Sequence, residues 1–88
     1  MSQEDLRKLY ETILKLETVE ECEAFFEDLL TFKELEAISQ RLKSAELLLQ
    51  NNTYEEVIKQ VSISSATLSR VSRCIQQGNG YKSVLLKK

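Results

Sequence analysis

No proline occurs anywhere in this sequence of 88 residues, and its two glycines, Gly78 and Gly80, both lie near the C-terminus. Proline breaks helix interiors and glycine loosens them. A chain without either over its first 77 positions is therefore constrained towards an all-α fold. Its size imposes a second constraint. A domain this small buries only about 60–65% of the surface that its unfolded chain exposes. Three Phe, three Tyr and no Trp leave the core thin in aromatics. Disulfides, a metal or a partner subunit are the usual supplements. Cys22 and Cys74 are the only cysteines, widely spaced and without a second pair, so a disulfide framework is not expected. With no His and no thiol cluster, no zinc site is expected either. A second copy of the chain is the first expectation.

The missing His also removes Ser-His-Asp and Cys-His nucleophile systems, and the reading is of a protein that is not an enzyme and needs no cofactor. No apolar run approaches the roughly 20 residues of a membrane span. The N-terminus is acidic and polar, unlike a signal peptide, so the expected location is the cytoplasm.

Apolar periodicity and capping residues place the helices. Leu6, Leu9, Tyr10, Ile13 and Leu14 form one helical face behind a Ser2 start. Thr18 and Glu21 read as a capping box for a second helix, whose stripe is Val19, Cys22, Phe25, Phe26, Leu29 and Leu30. Thr31 and Glu34 repeat the box for a third helix. There Leu35, Ile38, Leu42, Ala45 and Leu49 recur at alternating spacings of three and four, a narrow seam suited to helix pairing, widened at its end by Leu47 and Leu48. Asn51 and Asn52 break the pattern, and Thr53 with Glu56 starts a short fourth helix. A fifth opens at Ser64 or Ser65 and runs to about Gln77, where Gly78, Asn79 and Gly80 stop it. The last eight residues are expected as a docked tail or a frayed end. The division anticipated within a single domain 1–88 is a helical dimerisation core over 1–50, a helix-turn-helix over 53–77 and a tail over 78–88.

Charge is divided along the chain. Residues 1–40 hold four bases and eleven acids, and residues 41–88 hold eight bases and three acids. From position 59 onward there are six bases and no acid. A basic C-terminal third on an acidic body suits a polyanion approached from one side, unless acids and bases pair across the fold or across a dimer.

Residues 54–73 sharpen that choice. Val57, Val61, Ile63, Leu68 and Val71 are apolar at the spacing that a helix-turn-helix needs: two on the first helix, one at the turn, two on the second. Ser64, Ser65, Thr67, Ser69, Arg70 and Arg73 are then directed outward. Small hydroxyl residues at a helix start can meet base edges in the major groove, and the two arginines can neutralise phosphates. Ile58 and Ser62 depart from the small residue and the glycine that often occupy these places. The same spacing also fits a plain helical pair.

With these residues in view, the chain resembles the Trp repressor superfamily, and most closely its YerC/YecD branch of Trp-repressor-like proteins. The likeness is carried by LTFKELEAISQRL at 30–42, ISSATLSRVSR at 63–73 and RCIQQGNGYK at 73–82, and it extends over nearly the whole chain. It implies a TrpR-like intertwined helical homodimer with two helix-turn-helix DNA-binding heads, regulating transcription in a bacterial cytoplasm from a palindromic operator. It implies that Ser65, Ala66 and Thr67 approach bases. It also places Arg41, Arg70, Thr31 and Cys74 where that family surrounds a tryptophan corepressor. Three departures bear on the corepressor, one being a link between the third and fourth helices that is shorter than in that family. Val71 stands where the repressor has glycine, and its methyl groups would occupy the space beside the ligand. Cys74 replaces a serine. The DNA-binding role is therefore carried over, and the tryptophan is not.

The expected partners are double-stranded DNA and a second copy, with no membrane and no metal. The rival expectation is a helical protein-interaction module that keeps the helix-turn-helix shape without binding DNA, which the acidic first half and a pI near 5.2 favour. Cys22 is expected as a small core residue and Cys74 as part-buried.

Overall fold

The computed structural model describes residues 2–87, which form six α-helices and no strand: α1 Gln3–Ile13, α2 Val19–Leu29, α3 Phe32–Leu49, α4 Tyr54–Gln60, α5 Ser65–Gln77 and α6 Gly80–Leu85. By internal packing the chain divides into two compact units, Met1–Leu35 and Glu36–Lys88. Lys88, counted above among the bases of the tail, lies outside the described residues.

Each of the first five helices starts where a side chain replaces a missing backbone partner. The four leading N–H groups of a helix have no acceptor within it. Ser2 Oγ accepts from the Asp5 N–H at 3.1 Å. Thr18, Thr31 and Thr53 accept from Glu21, Glu34 and Glu56, and each glutamate returns a bond to the threonine N–H. Ser64 Oγ accepts from the Thr67 N–H at 3.1 Å.

Two of these boxes carry a pH dependence. The Thr31 backbone N–H, and secondarily its side chain, hold the Glu34 carboxyl below its ordinary range. Thr53 does the same for Glu56. A carboxyl whose pKa is lower when folded than when unfolded stabilises the fold above its unfolded value, and that contribution fades as pH falls through the folded one. Denaturant midpoints should accordingly drop as the pH is taken below about 4.5, the ordinary value of both groups. Glu56→Gln keeps a capping oxygen but cannot titrate, so its midpoint should fall less steeply in acid; an unaltered acid profile would assign the dependence elsewhere.

Among the described residues of the unit Met1–Leu35 none is buried. The apolar faces foreseen for α1 and α2 do form, yet neither helix has a buried residue. Leu14 is 83% exposed and Val19 76%. Cys22, expected in a core, is only half-buried and its thiol is free. Phe25 and Phe26 meet edge to face, with centroids 5.5 Å apart.

The buried apolar side chains of the described residues all belong to the other unit: Ala45, Leu47, Val57, Val61, Leu68 and Val71. Leu47, Val57, Val61 and Leu68 form one cluster, flanked by Leu48 and Ile63. α3 thus delivers its end to the core. Ile38 and Leu42, in the middle of the expected seam, stay 49% and 44% exposed, while burial concentrates at Ser44, Ala45 and Leu47. Ser44 disposes of its hydroxyl by donating to the Gln40 carbonyl at 2.8 Å.

Gly78 does stop α5, but in an extended conformation rather than a left-handed one. Its N–H bonds the Cys74 carbonyl at 2.8 Å, and a Cβ at position 78 would stand 2.8 Å from that same oxygen. Close approach, not positive φ, requires the glycine. Beyond it, of the two alternatives expected, the docked one is found: residues 80–85 form α6, packed against α5.

Candidate nucleic-acid interface

α4 and α5 are two short helices joined across residues 61–64. Val57 and Leu68, one from each, are fully buried, and Val61 and Ile63 pack between them. Val71 follows Leu68 at i+3 and is 2% exposed, so one face of α5 is committed to the core. The opposite face is left to solvent. Ser64, Ser65, Ala66, Ser69, Arg70 and Arg73 are all exposed, as the spacing required.

Thr67 is the exception on that surface. It is half-buried, and its hydroxyl accepts from Ser64 Oγ at 3.0 Å while its N–H donates to the same oxygen. Ser64 and Thr67 therefore serve first to start the helix. Ser65 and Ser69 keep hydroxyls with no partner among the described residues.

Pairing of acids and bases within the single chain is slight. Among the described residues the ion pairs reduce to one, Arg7 with Glu11 at 3.4 Å on α1. Arg70 and Arg73 are not neutralised by any carboxylate within the described chain. Lys59, exposed in the last turn of α4, adds a base beside the turn that sequence reasoning had counted but not placed at the site. Its position two residues before the connection is the available signal. Tyr54 and Ile58 give α4 an apolar outer strip, at 41% and 46% exposure.

The residues matched to a corepressor site are dispersed by environment. Arg41 and Arg70 are exposed on α3 and α5. Thr31 is exposed and engaged in its capping box. Cys74 is half-buried and free, and it lines a groove of about 540 Å³ with Arg73, Gln77, Gly78, Gly80 and Tyr81. Neither Arg41 nor Arg70 lines that groove. No group of three or more potential metal-ligating side chains stands together among the described residues. None of the described helices is long and apolar enough to cross a membrane.

An all-helical chain that carries a short, outward-facing helix pair on the end of a longer helix defines the class of small Trp-repressor-like proteins. The chain belongs to the Trp repressor protein family, whose profile matches residues 4–88. It is similar to the uncharacterized protein YerC of Bacillus subtilis (strain 168), with 43% identity over 75 residues that span 85% of this chain and 72% of YerC. Among solved structures it is similar to a Staphylococcus aureus protein provisionally described as a Trp repressor (TM-score 0.90, 40% identity, covering 96% of this chain and 85% of that one). It is also similar to a TrpR like protein from Eubacterium eligens ATCC 27750 (TM-score 0.89, 34% identity, covering 94% and 87%).

Proposed function

We propose that the chain is a sequence-specific DNA-binding transcriptional regulator, a repressor by family, that acts in the cytoplasm as a homodimer on a palindromic operator. One observation carries the reading: α5 buries Leu68 and Val71 and turns Ser65, Ala66, Ser69, Arg70 and Arg73 outward, with no acid from position 59 to the end. A helix so held can lie in a major groove, its first turn against base edges and its arginines against phosphates. The dimer is supported by the family and by α1 and α2, neither of which has a fully buried side chain. The exposed Tyr54 and Ile58, with the acidic first forty residues, favour the second reading, an interaction module that binds protein instead.

Selection from random duplexes with the purified protein separates the two. An enriched palindrome is expected, its half-sites separated by about one helical turn of 10 base pairs. Light scattering on the same sample should give twice the chain mass of 10.2 kDa. No enrichment even at low salt would favour the interaction module, and a single-chain mass at micromolar concentration would remove the homodimer.

A further inference from the structure

The joint between α3 and α4 is not built as a hinge. Its backbone N–H groups from Gln50 to Thr53 are all bonded within the chain. Gln50 donates to the Glu46 and Leu47 carbonyls, Asn51 to Leu48 at 3.0 Å and Asn52 to Leu47 at 3.1 Å. The Thr53 N–H donates to Glu56 Oε1 at 2.8 Å. Asn51 takes the left-handed conformation, φ 68°, that asparagine tolerates better than other side chains. The Asn52 side chain then adds a second bond to Leu47: its Nδ2 donates to that carbonyl at 2.9 Å, part-buried. Leu47 is also the α3 member of the buried cluster with Val57, Val61 and Leu68. One residue therefore receives three of the corner's hydrogen bonds on its carbonyl and packs its side chain against the helix pair.

The second joint carries bonds at alternate positions. The Val61 N–H bonds Val57 at 2.8 Å, the Ile63 N–H bonds Val61 at 2.9 Å, and Ser64 caps α5. Under α5, next to Arg70, Val71 fills its place in the core at 2% exposure.

We infer that Asn52 is a positioning residue which locks the α4–α5 pair onto the end of α3, so that the ligand-free protein is itself the DNA-competent form. This rests on the DNA-binding reading above. A head whose orientation is set by two bonded joints and its own core occupies that orientation without help. A head that needed an effector would bind with an affinity reduced by the fraction of molecules already in the reading orientation.

The test uses the full chain and the selected duplex. Protein unfolded in guanidinium, stripped of small molecules and refolded should bind within about two-fold of the protein as purified, and the low-mass fraction of a cell extract should not tighten it. Asn52→Ala should weaken binding by about ten-fold, as for a head in place one time in ten. Its salt slope should not change, because the phosphate contacts are untouched, and amide exchange should quicken in α4 and α5 but not in α2. Asn52→Asp has the same shape but an ionised carboxylate cannot donate, so it should behave like the alanine variant.

Two results would overturn the inference. One is refolded protein that binds about ten-fold more weakly and is restored by the extract fraction. The other is wild-type affinity and exchange in both Asn52 variants. If neither the purified nor the refolded wild type binds any duplex, with or without extract, the DNA-binding reading itself falls, and this inference with it.

Discussion

Leu68→Ala is expected to cost about 2–5 kcal/mol of stability, the range for removing three carbons from a filled core. Leu68 is fully buried and belongs to the cluster that joins the end of α3 to α4 and α5. A domain of this size has a total stability on the order of 5–15 kcal/mol, so the loss is a large share of the whole. It should show as a lower denaturant midpoint and as faster amide exchange throughout α4 and α5. Ile58→Ala provides the internal contrast. Ile58 is 46% exposed on the other side of α4, and surface truncations usually stay within about 0.5 kcal/mol. Equal losses at the two positions would mean that both faces of α4 are covered, and that the surface assigned to solvent is an interface.

Arg70→Ala and Arg73→Ala are expected to weaken operator binding and to flatten its dependence on salt. A cation that neutralises one phosphate releases condensed counterions, and losing it lowers the slope of log affinity against log salt by about 0.9 for duplex DNA. The two residues stand one turn apart on the exposed face of α5, without a carboxylate partner in the described chain, so their effects should add. Arg41→Ala is the control. Arg41 is equally exposed, but on α3, and its removal should leave the slope unchanged. Unchanged slopes for Arg70 and Arg73, or a fall for Arg41 as large as theirs, would place the DNA on another face.

What the sequence made legible was local. A capping box needs only a hydroxyl and a carboxylate three positions apart, so Thr18–Glu21, Thr31–Glu34 and Thr53–Glu56 could be placed from spacing alone, and all three form. Val57, Val61, Leu68 and Val71 were legible because two short helices on one core allow few inward positions, and all four are buried. The features that stayed hidden depend on choices between near neighbours. Leu42 and Leu47 are the same residue type, and only the placement of α4 and α5 buries the second and leaves the first half in solvent. Thr67 looks like a free hydroxyl until Ser64 is seen to donate to it. That the docked segment is helical stays hidden, because Gly-Asn-Gly resembles a stop and a six-residue helix is too short for its periodicity to stand out; α6 opens on Gly80 and packs against α5. Of the residues matched to a corepressor site, nothing in their spacing could have shown that Cys74 lines a groove while Arg41 and Arg70 do not.

Eleven-residue helices such as α1 and α2 are marginal in water when nothing packs on them. With no buried side chain between them, they borrow their persistence from whatever comes to lie on their apolar faces. Under the homodimer reading proposed above, the lender is a second copy of the same chain, and dilution would act as a denaturant. Scarce chains then face proteolysis as frayed singles. Occupancy of a site that only the paired form can fill climbs with roughly the square of chain concentration, and a graded change in synthesis becomes a sharper change at the operator.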